Sequence, residues 1–212
     1  TKKEGELASV MCHELAHLSQ RHYARSQNRS SPLANALMVL GSIAVAAASR
    51  NPEALMIAPA AMQQMSINFT RSNEKEADRI GFNNLVKAGF DPNDMSSMFQ
   101  RMQDKYQNED SEEFSYLMTH PLPSERLTDM RIRAENLPRS SKNSYRDNID
   151  FYLMQKRVEM WSEKDNRKLI RKYKKETKSK NKNISSSGRY GLALAYKREK
   201  KFEEAFELLR SL

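Results

Sequence analysis

The chain has 212 residues and a formal net charge of +9, and 38% of its residues are hydrophobic. This length suffices for one catalytic domain and part of a second. Its single cysteine, Cys12, excludes an internal disulfide, and much of the basic excess lies in residues 164–182, where ten lysines and arginines accompany two acidic residues. Without aromatic or groove-entering elements beside that stretch, we expect no nucleic-acid binding. A solvated helix face is favoured over contact with an anionic membrane surface.

The first predicted element is a helix from Lys3 to about Arg25. No proline interrupts it, and apolar residues recur at spacings of three and four, as an amphipathic helix requires. These residues, which form its predicted apolar face, are Leu7, Val10, Met11, Leu15 and Leu18.

This helix carries the motif HExxH at residues 13–17. His13 and His17 lie one turn apart on one face, with Cβ atoms about 5–6 Å apart, so both imidazoles can reach one metal ion. Glu14 projects roughly 100° around the helix, where it can hold a water rather than bind the metal. The pattern is typical of a zinc peptidase.

A catalytic zinc needs a third protein ligand and an open fourth position. His22 is near in sequence, but five residues after His17 it points about 140° around the helix, away from the metal. Glu74 and Asp78 are better placed, on one face of a later predicted helix. We expect Glu74 to bind the metal and Asp78 to accept the outer N–H of a ligating imidazole, although a solvated acidic face is the alternative. Glu76 points to another face and is predicted to be a surface residue.

Between these two predicted helices lies an apolar region. Arg29 and Arg50 bracket twenty uncharged residues, and a second apolar piece covers residues 55–61. We interpret residues 33–61 as a helical hairpin that covers the active site or makes peripheral contact with a bilayer surface. A transmembrane helix at 33–48 and a buried core hairpin are the alternatives.

The following helices have recognisable ends. Pro59 can start the helix that carries Glu74, and Gly89 can cap it. Asp91 then caps another helix at its N-terminus. The apolar side of that helix carries Met95, Met98, Phe99 and Met102.

His120 and Arg126 are further candidates. His120 precedes Pro121, which disfavours helix, so it lies in a loop from which its ring can move towards a metal. An ordinary surface histidine is the alternative. Arg126 belongs to a helix that starts at Ser124, where it can anchor the loop, orient a substrate carbonyl or form a structural salt bridge.

The composition changes after Pro138. We predict a domain at 1–138, a polar linker at 139–148 and TPR-like helical repeats at 149–212. The repeat spacing is carried by Leu192, Ala193, Tyr196, Phe202, Ala205 and Leu209, whereas the segment before it matches only as a helix pair. We expect the chain to be truncated at both ends. A lone repeat needs neighbouring repeats to bury its apolar face, and the metal-binding helix begins at residue 3, which leaves no room for preceding elements.

Three motifs in order resemble one family. They are Gly5 to His17, Asn73 to Gly81, and Thr119-His120-Pro121 followed by Ser124 to Leu127. Over roughly residues 1–137 the chain resembles the HExxH zinc peptidases that include the CAAX prenyl proteases and HtpX. It is most similar to their periplasmic BepA-like branch, the β-barrel assembly-enhancing proteases with C-terminal TPR repeats.

The resemblance implies one zinc ion per chain, bound by His13, His17 and Glu74, with Glu14 as the catalytic carboxylate. It also implies that His120 approaches the zinc and occludes it at rest. The expected fold is mainly α, a helical gluzincin-type zinc peptidase domain followed by the start of a TPR-like α-solenoid.

The implied task is periplasmic quality control, in which the zinc site degrades misassembled outer-membrane proteins. The repeats would bind the client or the outer-membrane assembly machinery. Two alternatives remain open: a chaperone or scaffold with a self-inhibited peptidase site, and a membrane-embedded peptidase of the HtpX type.

Overall fold

The structure is a computed structural model that describes residues 1–27, 32–106, 120–121, 124–138 and 148–212. Within these ranges the chain is helical and has no strand, so the predicted mainly α fold is confirmed. Contacts divide the chain into two compact units, Thr1–Tyr145 and Arg146–Leu212.

Within the described residues, the helices of the first unit are α1 (Glu4–Ser19), α2 (His22–Gln27), α3 (Pro32–Ser49), a 3₁₀ helix (Pro52–Met56), α4 (Ile57–Lys87), α5 (Asn93–Tyr106) and α6 (Ser124–Glu135). Those of the second unit are α7 (Ile149–Ser162), α8 (Asn166–Glu176), α9 (Lys182–Arg198) and α10 (Phe202–Arg210).

The prediction of one helix from Lys3 to Arg25 is wrong at its C-terminal end. Helix α1 ends at Ser19, and α2 begins only at His22. Between them Arg21 has a φ of 53°, in the left-handed region that ends a helix and redirects the chain. His22 therefore does not lie where a continuous helix would place it.

The predicted apolar face of α1 is also wrong, except for Val10, which is partly buried against Met98 and Met102. Leu7, Met11, Leu15 and Leu18 are 42–73% exposed in the part of the chain that the structure describes. The buried face carries small or polar residues instead: Gly5, Glu6, Ser9, His13 and Ala16. Helix α4 packs closely on this face, and small residues permit that approach. A Cβ on Gly81 of α4 would lie 3.0 Å from the backbone Cα and N of His13.

The core of the first unit lies between α4, α5 and α6. The predicted apolar side of α5 is confirmed, since Met95, Met98, Phe99 and Met102 are all less than 10% exposed. Met95 and Phe99 belong to this core together with Phe82, Leu85, Leu127, Met130 and Ala134, whereas Met98 and Met102 form a separate cluster against Val10 of α1. Helix α4 begins two residues before Pro59 and is followed by Gly89 with a φ of 85°, as predicted for its C-terminal end.

Helix α3 is apolar but not buried. Its 18 residues include no charged side chain, and Ser42 is the one buried residue among them. Leu37 and Leu40 are 60% and 61% exposed. The alternative of a buried core hairpin is therefore wrong for α3. By length and composition this helix could cross a membrane.

The second unit consists of helices packed around α9. Its core contains Met160, Leu169, Tyr173, Leu192 and Ala195. Of the residues that predicted the repeat, Leu192, Ala193 and Ala205 are buried, whereas Phe202 and Leu209 are 61% and 45% exposed. The predicted helix pair before α9 is present as α7 and α8.

The contact at Gly81 generates a prediction about stability. In Gly81→Ala the new methyl group would press on the α1 backbone, and overpacking of this kind costs about 1–3 kcal/mol. Gly41→Ala in α3 is the matched control, because nothing lies within 4 Å of its added Cβ. Both variants gain the same helix propensity of about 1 kcal/mol, so their difference isolates the steric effect.

The free energy of unfolding should be about 1–3 kcal/mol lower for Gly81→Ala than for Gly41→Ala. Pulsed thiol labelling of Cys12 in urea measures it specifically in the first unit, since Cys12 lies half-buried in α1. Equal stabilities would contradict the close approach of α1 and α4.

Candidate metal centre

His13 lies at the crossing of α1 and α4 and is 1% exposed. Its Nε2 is 3.4 Å from Glu74 Oε2, and its Nδ1 is 2.9 Å from Asp78 Oδ1. Each ring nitrogen thus faces a carboxylate of α4, as the spacing of Glu74 and Asp78 predicted. Burial disfavours the charged imidazole, but the two carboxylates outweigh this and raise the pKa of His13 to about 9. The site therefore favours positive charge.

His17 follows one turn later on α1. Its Nε2 lies 3.0 Å from Nε2 of His13 and 3.2 Å from Oε1 of Glu74. The two imidazoles and the carboxylate therefore direct three donor atoms at one point. His17 is less buried than His13, with 17% of its side chain exposed.

Arg126 of α6 holds the two carboxylates of α4. Its Nε and Nη2 donate to Asp78 over 2.6 and 2.7 Å, and its Nη1 lies 2.8 Å from Glu74 Oε2. Nη1 also donates to the carbonyl of Pro121 over 2.6 Å. The guanidinium therefore anchors the loop that carries His120, one of the three roles considered for it. All three charged side chains are at most 4% exposed.

The environment of Glu74 stabilises its ionised form. Burial alone would raise the pKa of Glu74, but hydrogen bonds from three imidazoles and the charge of Arg126 hold it far below its ordinary range. A carboxylate that stays ionised in a buried position is suited to a divalent cation.

His120 is brought to the same place from its loop. Its Nδ1 lies 3.0 Å from Glu74 Oε1, and its Nε2 lies 3.8 Å from Glu14 Oε1. Donor atoms of His13, His17, Glu74 and His120 all fall within 4.8 Å of one another.

Glu14 lies on the open side of the group. Its side chain is 42% exposed, compared with 4% for Glu74. It is not one of the four grouped donors. This position, beside the group and accessible to solvent, is the one expected for a carboxylate that handles a water.

The donor set fits a zinc ion. Zinc binds imidazole and carboxylate at about 2.0–2.2 Å, and tetrahedral angles then place ligand atoms about 3.4 Å apart. The three distances among His13 Nε2, His17 Nε2 and the Glu74 oxygens are 3.0, 3.2 and 3.4 Å. Glu14 and His120 lie together on the remaining side of the group, with His120 Nε2 3.8 Å from Glu14 Oε1.

Two further residues lie beside this group, and neither was expected there from the sequence. His22 is 4% exposed, and its Nδ1 lies 2.9 Å from Nδ1 of His17, the ring nitrogen that faces away from Glu74. Glu76, predicted to be a surface residue, is 29% exposed and accepts from His22 over 3.1 Å and from Arg25 over 3.0 Å. Burial lowers the pKa of His22. His22 reaches this position because the helix breaks at Arg21. No glycine or proline marks that break in the sequence.

Known proteins match this chain along its length. Residues 1–134 match peptidase family M48. The chain is 38% identical over 219 residues to the beta-barrel assembly-enhancing protease of Escherichia coli (strain K12), and 37% identical over 227 residues to that of Yersinia pestis. These alignments cover 99% and 100% of this chain but only 43% and 44% of the relatives. The chain thus spans less than half the length of those proteins.

A more distant relative matches part of the chain. The mitochondrial metalloendopeptidase OMA1 of Schizosaccharomyces pombe is 30% identical over 126 residues, which are 59% of this chain and 35% of that protein. The resemblance inferred from the three ordered motifs is confirmed. The chain belongs to peptidase family M48.

Proposed function

We propose that this chain is a zinc-dependent endopeptidase in which His13, His17 and Glu74 bind the metal and Glu14 is the catalytic carboxylate. The observation that carries this proposal is the convergence of two imidazole nitrogens and one carboxylate beside a half-exposed Glu14: the nitrogens lie 3.0 Å apart, and each lies 3.2–3.4 Å from one of the two Glu74 oxygens. Membership of a peptidase family supports it.

A bound zinc ion would supply polarisation of the scissile carbonyl and a lowered pKa for a water molecule. Glu14 accepts the proton of the attacking water and returns it to the leaving amine. Its solvent-exposed carboxylate can exchange protons between these steps. Asp78 fixes the ring of His13, and Arg126 fixes Asp78, Glu74 and the His120 loop, so the ligands are oriented before substrate arrives.

Exchanging Glu14 for glutamine separates metal binding from catalysis. Glu14→Gln removes the proton acceptor but none of the three ligands, so we expect zinc content near one per chain and a loss of casein cleavage of at least about 100-fold. His13→Ala should lose both metal and activity. Metal analysis by mass spectrometry and a peptidase assay measure the two properties.

Glu53→Gln, an exposed glutamate in the 3₁₀ helix, is the matched control and should cleave like the wild type. Cleavage by Glu14→Gln at the wild-type rate would rule out the catalytic role of Glu14. It would favour the scaffold alternative, in which binding rather than cleavage is the main work.

We also propose that His120 restrains the peptidase at rest. Its ring lies 3.0 Å from Glu74, within the donor group and on the side of Glu14, where a substrate carbonyl has to enter. Its neighbour Pro121 accepts a hydrogen bond from Arg126 through its carbonyl. Because Pro121 disfavours a helical backbone at His120, we expect the ring to move aside when a substrate binds.

His120→Ala tests this restraint. Removing the imidazole frees the fourth position, so we expect cleavage several-fold faster than by the wild type, measured as initial rates on casein. The double variant Glu14→Gln/His120→Ala should stay inactive, which shows that the added cleavage arises at this site. A slower His120→Ala enzyme would instead make His120 a catalytic aid.

We propose a role for the whole protein in outer-membrane assembly, because two relatives are named beta-barrel assembly-enhancing proteases. Its substrates would be misassembled outer-membrane proteins, and its location the periplasm. The second unit, a helical array with TPR-like spacing, would bind the client or the assembly machinery. The apolar residues exposed on α10, Phe202 and Leu209, are suited to such contacts.

We propose that residues 33–61 contact a membrane peripherally. Helix α3 exposes apolar side chains along its whole length and carries no charge, which is costly in water and favourable at a bilayer interface. This contact would bring the peptidase close to membrane-bound clients. It also keeps open the alternative of a membrane-embedded peptidase, which would require detergent for solubility.

Liposome flotation tests the contact. Leu37→Asp/Leu40→Asp should reduce the lipid-bound fraction by at least about 10-fold, because each charge opposes insertion into the apolar layer. Met154→Asp/Val158→Asp on α7 is the matched control, since its two side chains are 54% and 58% exposed. Equal binding by both double variants would contradict a role for α3.

A further inference from the structure

His22 occupies a buried position that the metal ligands do not explain. Helix α1 ends before it, and the left-handed turn at Arg21 returns the chain so that His22 faces the back of His17. The two rings lie 4.8 Å apart between centroids and nearly perpendicular, at 81°. Their Nδ1 atoms are 2.9 Å apart, which is hydrogen-bond distance.

Two imidazole nitrogens at this distance share one hydrogen, and the rest of the site decides which ring carries it. Nε2 of His17 faces His13 and Glu74, where the metal would bind. To bind the metal, this nitrogen must be unprotonated and offer its lone pair. A neutral imidazole then has its proton on Nδ1, which makes His17 the donor to His22.

The series of hydrogen bonds continues from His22 to Glu76. Because Nδ1 of His22 accepts, its proton resides on Nε2. That nitrogen lies 3.1 Å from Glu76 Oε2, an acceptor, and Arg25 Nη1 fixes the same oxygen from 3.0 Å. Every nitrogen in this series thus has a partner of the opposite kind.

The arrangement parallels that of His13. The outer nitrogen of His13 faces the carboxylate of Asp78 directly, at 2.9 Å. For His17 no carboxylate is that close among the described contacts of its Nδ1, and His22 connects it to Glu76 instead. Carboxylates behind ligating imidazoles fix the tautomer and raise the basicity of the ligand.

We propose that His22 is a positioning residue that holds His17 in the orientation and tautomer needed to bind the metal, with Glu76 holding His22 in turn. This inference rests on the proposed zinc site. It adds to that site a residue which neither binds the metal nor touches the substrate. Its effect is therefore expected on metal affinity and ligand geometry before any effect on catalysis.

The test compares two substitutions at position 22 of the chain. His22→Leu removes the atom that accepts the hydrogen bond from His17. In His22→Asn the amide oxygen can take the place of Nδ1 and accept that hydrogen bond. Zinc affinity is measured by competition with a chromophoric chelator, and ligand geometry by the visible spectrum of the cobalt-substituted protein. Tyr23→Leu in the same helix, where the side chain is 78% exposed, is the matched control.

We expect zinc affinity to fall about 10–100-fold in His22→Leu, with an altered cobalt spectrum, and to be largely restored in His22→Asn. Tyr23→Leu should match the wild type. Circular dichroism of the metal-free variants reports whether each is folded.

Wild-type zinc affinity and spectrum in His22→Leu would overturn the proposal while leaving the zinc site intact. An equal loss of affinity in the asparagine and leucine variants would also overturn it, since the acceptor would then not matter. If the wild type itself binds neither zinc nor cobalt, the proposed site fails as well, and the two failures are thus distinguishable.

Discussion

Two buried carboxylates on one helix dominate the first unit. Glu74 and Asp78 of α4 are 3% and 1% exposed, and a buried charge without a partner costs several kcal/mol. Their partners come from separate segments: His13 from α1 and Arg126 from α6. The helices that supply these partners are therefore the same ones that assemble the candidate metal centre.

This electrostatic requirement is met only because α1 and α4 approach closely. The buried face of α1 has small or polar residues, and Gly81 of α4 lies against the backbone at His13. A larger residue at Gly81 would move His13 away from both carboxylates. The geometry of the site is thus set by side-chain volume as well as by charge.

Local spacing predicted much of the candidate site. Two histidines one turn apart, and Glu74 one turn before Asp78, lie on single helix faces whatever the tertiary structure. The apolar side of α5 was predictable for the same reason. Each of these predictions depends only on the helical repeat.

The rest depended on tertiary contacts. The apolar stripe of α1 predicted the wrong buried face, because α1 buries polar and small residues where α4 packs against it. The turn at Arg21 has a left-handed residue that is not glycine, so nothing in the sequence marks it. Without that turn His22 could not be placed beside His17, nor Glu76 behind it.

The central claim is that three side chains from two helices bind one metal ion. Anomalous diffraction at the zinc absorption edge, on crystals of the chain grown with zinc, tests it most directly. We expect one peak about 2.0–2.2 Å from Nε2 of His13, Nε2 of His17 and an oxygen of Glu74. The absence of a peak there, or a peak that Glu74 does not reach, would contradict the account.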